Sequence, residues 1–221
     1  MAAFNDPTPG RCPAATETLV LTCPPCHRTC SRPLALAAAK AVNRIPKPAA
    51  LPGGCLYEPK WDGFRTSLTV TDTGAVLFSR QGKDLTRYFP DVIAAAEEHI
   101  PPGCIVDGET LFWSNGRLDF TSLQQRMITS KAALPAFIRE RPASFDVLAV
   151  AGQDTRALPL RDRRALLEEL ARSWKPPLNL SPATADSDEA ATWFEQLPST
   201  GVEGLVVKNS GQPYEAASGS G

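Results

Sequence analysis

The sequence predicts an α+β fold, antiparallel sheets flanked by helices, and three observations predict it. The apolar runs 66–71 and 75–79 are joined by Asp72-Thr73-Gly74, a turn composition, so the two strands form a hairpin and pair antiparallel. Hairpin-like and helix-like segments then alternate to the end of the chain, the pattern of sheets with helices packed on them. Finally, 221 residues with 43% hydrophobic content suffice for one sizeable core.

Composition narrows the setting. A net charge of −1 and a pI near 6.2 create no global basic field, so any nucleic-acid partner must be held by a local patch. No apolar run approaches the ~20 residues of a membrane helix, and the N-terminus has no basic segment followed by an apolar stretch, which reads as a cytoplasmic protein. In that reducing compartment the six cysteines are more at home as thiols or metal ligands than as disulfides.

Four of them come early: Cys12, Cys23, Cys26 and Cys30, with His27 beside Cys26. Cys23-Pro24-Pro25-Cys26-His27 has the spacing of covalent haem attachment, and Cys12 and Cys30 add the makings of a zinc site. Haem attachment of that type requires export, and a zinc knuckle requires a second well-spaced ligand pair. Residues 1–32 are therefore read as a disordered Cys/Pro-rich extension, 33–212 as the folded domain and 213–221 as a flexible tail.

The folded part is justified element by element. Alanine and leucine favour a short helix over 33–42, which Ser31 can cap, and the Pro-rich stretch 46–54 leads out of it. Strand 56–60 precedes the hairpin. A polar connection, Ser79-Arg80-Gln81-Gly82-Lys83-Asp84-Leu85-Thr86-Arg87, precedes an alanine-rich helix that starts at Pro90 and runs to about His99. A strand runs from Cys104 to Trp113 and turns at Ser114-Asn115-Gly116. Residues 121–127 form a short helix and 144–150 a buried strand. Leu166, Leu167, Leu170 and Trp174 give a helix over 162–174 its apolar face, and Asp186 with Glu189 caps another that ends near Leu197. A last strand spans 201–208. No repeats and no Gly-x-x-x-x-Gly-Lys phosphate loop are present.

The chemistry concentrates in Glu58-Pro59-Lys60-Trp61-Asp62-Gly63-Phe64-Arg65. If 58–62 is extended, side chains two apart share a face, so Glu58, Lys60 and Asp62 point into one space. Gly63 leaves room for a backbone or ligand to approach, and Arg65 is a fixed cation suited to hydroxyls and phosphates. A lysine amine attacks only when neutral, and from its ordinary pKa of about 10.4 that costs on the order of 4–5 kcal/mol at neutral pH. Burial or a neighbouring cation lowers this cost. Taken alone, Lys-x-Asp-Gly reads more readily as a salt-bridge ladder on a strand.

Asp107-Gly108-Glu109 interrupts a buried strand with two acids on one face, able to accept from ribose hydroxyls or to hold a metal. Arg80, Lys83 and Arg87 could grip a phosphate backbone or belong to a solvated loop.

In this order, Lys60-Trp61-Asp62-Gly63-Phe64-Arg65, Asp107-Gly108-Glu109, Phe145-Asp146-Val147-Leu148 and Glu203-Gly204-Leu205-Val206-Val207-Lys208 resemble the adenylation domain of ATP-dependent DNA ligases. The resemblance covers roughly residues 50 to 209 and implies an ATP-grasp-like nucleotidyltransferase fold. It implies that Lys60 attacks the α-phosphate of ATP, expels pyrophosphate and holds AMP as a phosphoramidate, which then passes to a DNA 5′-phosphate for nick sealing in repair and recombination. By the same resemblance Glu58 accepts from the adenine amino group and Phe145 stacks on the ring. Arg65 and Glu109 bind ribose, Lys208 lies near the phosphate, and Glu203 coordinates Mg²⁺ or Mn²⁺. Arg80, Lys83 and Arg87 contact nicked double-stranded DNA, and the protein acts as a monomer.

After Lys208 the sequence shows neither the family's lysine-pair strand nor its oligonucleotide-binding barrel. The expectation is that this chain alone binds ATP weakly and seals nicks poorly. RNA ligases and mRNA capping enzymes share the Lys-x-Asp-Gly nucleophile and are the second reading; a non-catalytic nucleotide-binding remnant is the third.

Overall fold

The structure, a computed structural model, describes residues 44–136, the backbone of 143–150, and residues 155–214. The helix expected over 33–42, the four early cysteines and the ring of Phe145 lie outside the described residues. Eight strands and four α-helices are described. The strands are β1 (Cys55–Pro59), β2 (Phe64–Thr71), β3 (Gly74–Ser79), β4 (Ile105–Ser114), β5 (Arg117–Leu118), β6 (Ala143–Val150), β7 (Leu178–Leu180) and β8 (Leu205–Asn209). The helices are α1 (Pro90–His99), α2 (Phe120–Ile128), α3 (Leu160–Ala171) and α4 (Ser187–Gln196).

They form two sheets. The larger runs β3-β2-β4-β6-β7, with β5 paired to β4; the smaller is β1 with β8. The predicted hairpin is present as β2 and β3, antiparallel from Thr71↔Gly74 to Thr66↔Ser79. One pairing departs from the antiparallel expectation: β6 and β7 run parallel. β7 has only three residues, too few for an alternating pattern to be read from the sequence.

Strand alternation sorts the two faces of the larger sheet. Leu68 and Val70 of β2, Leu77 of β3 and Val106 and Phe112 of β4 are buried in one apolar cluster with Phe89, Val92, Leu123 of α2 and Leu167 of α3. Two polar side chains that enter this layer satisfy each other: Thr66 and Thr110 share a buried hydroxyl bond of 2.9 Å. Arg126, fully buried, donates from Nε to the Tyr88 carbonyl at 2.7 Å, pairs with Asp91 and lies 4.5 Å over the Phe89 ring, tying α2 to the start of α1. The opposite face carries the intervening residues, Arg65 on β2 with Asp107 and Glu109 on β4, and this face is where chemistry gathers.

Helix ends follow their caps. Asp119 accepts from the Ser122 N–H at 2.9 Å and starts α2, while Asp186 accepts from Asp188 and Glu189 N–H groups and starts α4. The reciprocal half of the Asp186 box is supplied by Thr184, whose hydroxyl accepts from the Asp186 N–H at 3.0 Å. The strand expected from 201 begins only at Leu205, because Gly201 (φ 89°) and Gly204 (φ 149°) turn the chain with backbone angles that side chains other than glycine rarely adopt. No helix among the described residues is long and apolar enough to cross a membrane.

Candidate active site

β1 ends at Pro59, so Lys60 lies just outside the strand and the two-residue alternation expected across 58–62 stops there. The backbone of Lys60 is clamped on both sides: its N–H donates to Gly204 O at 2.7 Å and its carbonyl accepts from the Glu203 N–H at 3.0 Å. That clamp delivers the Lys60 ammonium to the Glu203 carboxylate, and the two pair directly with side chains 51% and 46% exposed.

Glu58 takes a different partner. It is 1% exposed between β1 and β8; Oε2 accepts from Lys208 Nζ at 2.6 Å, and Oε1 is buried with no hydrogen-bond partner among the described residues. The three side chains expected in one space are thus divided. Asp62 stays in the electrostatic neighbourhood of Lys60: burial and then Glu203 raise its pKa, opposed by Lys60.

The larger sheet supplies the other half of the site. Arg65 pairs across the strands with Glu109, yet its guanidinium reaches diagonally to Asp107, with Nε to Oδ1 at 2.6 Å and Nη2 to Oδ2 at 2.7 Å. Asp107 also accepts from the Tyr214 hydroxyl at 2.8 Å. With Arg65 committed to Asp107, Glu109 is left partly buried near two other acids. Burial first, then Asp107 and Asp62, push its carboxyl up to about 7, against the pull of Arg65 and the Gly63 N–H. Gly63 is required by backbone and not by a ligand: a Cβ there would lie 2.4 Å from the Thr110 carbonyl oxygen.

Between the two sheets opens a cleft of about 590 Å³ lined by Lys60, Trp61, Arg65, Glu109 and Val206, with Arg80 and Lys83 at its rim. The rim loop is shaped by its own backbone. Ser79 N–H donates to Lys83 O at 2.8 Å, the Lys83 N–H returns to Ser79 Oγ at 3.0 Å, and the Arg80 N–H donates to Arg65 O at 2.9 Å. Arg87 is outside the cleft lining, its guanidinium 4.4 Å over the Tyr88 ring. Phe145 is placed by its backbone on β6, between Thr110 of β4 and Leu178 of β7. Among the described residues no three His, Cys, Asp or Glu side chains gather into a metal cage.

Two residues that this geometry brings forward were not singled out as site residues from the sequence. Asp107 was visible as half of an acid pair, but nothing local said which acid would hold Arg65. Tyr214 lies 107 positions from its partner, and no spacing signals it.

A lysine facing a cleft beside a sheet-held arginine, with exposed cations along the same cleft, makes a site suited to an anionic ligand. The particular family follows from the sequence: residues 36–220 match the ATP dependent DNA ligase domain, and the chain belongs to that family. It is 36% identical over 180 residues to DNA ligase C2 of Mycolicibacterium smegmatis, covering 80% of this chain and 49% of that protein. DNA ligase C of Mycobacterium tuberculosis is 35% identical over 177 residues, covering 77% of this chain and 48% of that protein. The chain therefore spans about half the length of these curated relatives. The solved ligase domain of M. tuberculosis LigD shares the fold, with a TM-score of 0.61 and 22% identity over 86% of this chain and 57% of that one. These findings favour the DNA ligase reading over the RNA ligase and capping alternatives.

Proposed function

We propose that this chain is the nucleotide-binding part of an ATP-dependent DNA ligase and that Lys60 carries the adenylyl group. The observation that carries this reading is the position of Lys60, clamped by its backbone at the mouth of the cleft while its side chain pairs, among the described residues, with a half-exposed carboxylate. In the reaction the neutral Lys60 amine attacks the α-phosphorus of ATP. A P–N bond forms as the P–O bond to pyrophosphate breaks, and the amine proton leaves to Glu203 or water. AMP then passes to the 5′-phosphate of nicked duplex DNA.

The remaining residues fit the substrate. The unpartnered buried oxygen of Glu58 is an acceptor suited to the adenine amino group. Arg65 and Glu109 face the cleft where ribose would lie, and Phe145 would supply an aromatic face; Lys208, held on Glu58 in this structure, would have to leave that carboxylate to supply a charge near phosphate. Glu203 offers one hard oxygen ligand for Mg²⁺ or Mn²⁺, and with no cage of acids, His or Cys around it among the described residues the other ligands would be phosphate oxygens and water, the usual habit of Mg²⁺. Bound there, the ion would neutralise phosphate charge and orient the leaving group. Arg80 and Lys83 suit the DNA backbone, and Arg87 extends that surface. The protein would act as a cytoplasmic monomer in repair or recombination.

The test is intact-mass spectrometry of the 221-residue chain after incubation with ATP and Mg²⁺. One AMP is expected on the wild type and none on Lys60→Ala. A wild-type chain with no adduct, or an adduct that survives the substitution, would overturn the proposal.

A further inference from the structure

We infer that Tyr214 is a positioning residue for nucleotide binding: its hydroxyl fixes the Asp107 carboxylate, and Asp107 aims Arg65 into the cleft. The inference rests on the proposal that Arg65 binds nucleotide, and it identifies what determines that binding.

Asp107 is 4% exposed, and both its oxygens are engaged. Oδ1 accepts from Arg65 Nε at 2.6 Å; Oδ2 accepts from Arg65 Nη2 at 2.7 Å and from Tyr214 Oη at 2.8 Å. A bidentate carboxylate sets the plane of a guanidinium, so whatever sets the carboxylate also sets where the remaining Arg65 N–H groups point. Tyr214 itself is held from several directions. Its N–H donates to Arg156 O at 2.8 Å, and the Arg163 guanidinium lies 5.7 Å from its ring centre. Just before it, Gln212 O accepts from the Leu160 N–H at the start of α3 at 3.0 Å and from Arg163 Nη1 at 3.2 Å.

This segment continues directly from β8. One stretch, 205–214, therefore touches both halves of the site: Lys208 binds Glu58 on the small sheet, and Tyr214 binds Asp107 on the large one. Docking of 210–214 on the body of the domain becomes a determinant of nucleotide affinity.

The experiment measures the rate of AMP attachment to the full chain against ATP concentration, for wild type, Tyr214→Phe, Arg65→Ala and the double variant. Tyr214→Phe removes one hydroxyl and is expected to raise KM for ATP about tenfold, the scale of one hydrogen bond to a charged group, with a much smaller change in the rate at saturating ATP. In the Arg65→Ala background the same substitution should add less than about twofold, because the hydroxyl acts through Arg65. An unchanged KM overturns the inference. So does an equal loss in both backgrounds, or a Tyr214→Phe chain that circular dichroism shows to be unfolded at every assay temperature, since either makes Tyr214 a structural residue. A wild-type chain that takes up no AMP removes the nucleotide reading and this inference together, whereas normal wild-type uptake with a wild-type-like Tyr214→Phe removes this inference alone.

Discussion

Two cation–carboxylate pairs serve the same cleft and are built in opposite ways. Arg65 and Asp107 sit on neighbouring strands within the larger sheet, 26% and 5% exposed, joined by two parallel hydrogen bonds. Lys60 and Glu203 sit at the open end of a two-stranded sheet, 51% and 46% exposed, joined by a single contact. A bidentate buried pair has one geometry and resists separation; an exposed lysine on a flexible stem is held with about 0–1 kcal/mol and exchanges partners readily. The difference fits the work proposed for Lys60 and Arg65. A nucleophile must leave its carboxylate and shed a proton before it attacks, while the group that orients the nucleotide has to stay where it is.

The largest effect expected from breaking this comparison is chemical. Lys60→Ala should abolish AMP attachment while leaving thermal stability near that of the wild type, since only an exposed pair is lost. Residual labelling, or a collapse of the melting temperature, would mean that Lys60 is framework after all. The reverse holds for Asp107→Ala. It strands a largely buried arginine, and urea titration should show a loss of about 3–5 kcal/mol. A loss under about 1 kcal/mol would put the Arg65 pair in the same exposed class as the Lys60 pair.

Next comes the strand entry that aligns the two pairs. Gly63→Ala drives a methyl to 2.4 Å from the Thr110 carbonyl oxygen, which neither backbone can yield without shifting β2 against β4. Destabilisation of about 1–3 kcal/mol is expected, with weaker AMP attachment because Arg65 moves with β2. Glu203→Gln sharpens the contrast from the labile side. It should change unfolding free energy by less than about 1 kcal/mol, yet raise the Mg²⁺ concentration needed for half-maximal AMP attachment. An unchanged Mg²⁺ requirement would remove Glu203 from the metal's ligands.

The sequence disclosed the parts of the site that are local and concealed those that are not. Lys60, Arg65 and the acid pair at 107 and 109 stood out because spacing along a strand and the Lys-x-Asp-Gly run are read within a few residues. The hairpin and the cap at Asp186 were legible for the same reason. Partner choice was not legible. Lys60 with Glu203, Glu58 with Lys208 and Asp107 with Tyr214 are separated by 143, 150 and 107 positions, and packing of distant segments decides them. The boundary at 212 falls two positions before a tyrosine whose significance comes only from what it touches. The buried arginines Arg126, Arg163 and Arg164 were equally hidden, since each occupies a helix position that sequence alone assigns to solvent.

The smallest predicted effect concerns Glu109, the acid left over once Arg65 has chosen Asp107. Burial, Asp107 and Asp62 push its carboxyl from an ordinary 4.5 up to about 7. Between those values the folded chain holds a proton that the unfolded chain has released, so folding is favoured at the acidic end. This contribution is complete below about pH 4.5 and is lost as pH rises through about 7. Glu109→Gln keeps the shape and stays neutral, so its melting temperature should decline less than that of the wild type between pH 5 and 8, roughly the window in which the acid titrates. Parallel melting curves for the two proteins across that range would show that Glu109 is solvated like an ordinary surface acid. Arg65 would then be serving both acids, and the sharp division between a committed pair and a leftover carboxyl would disappear.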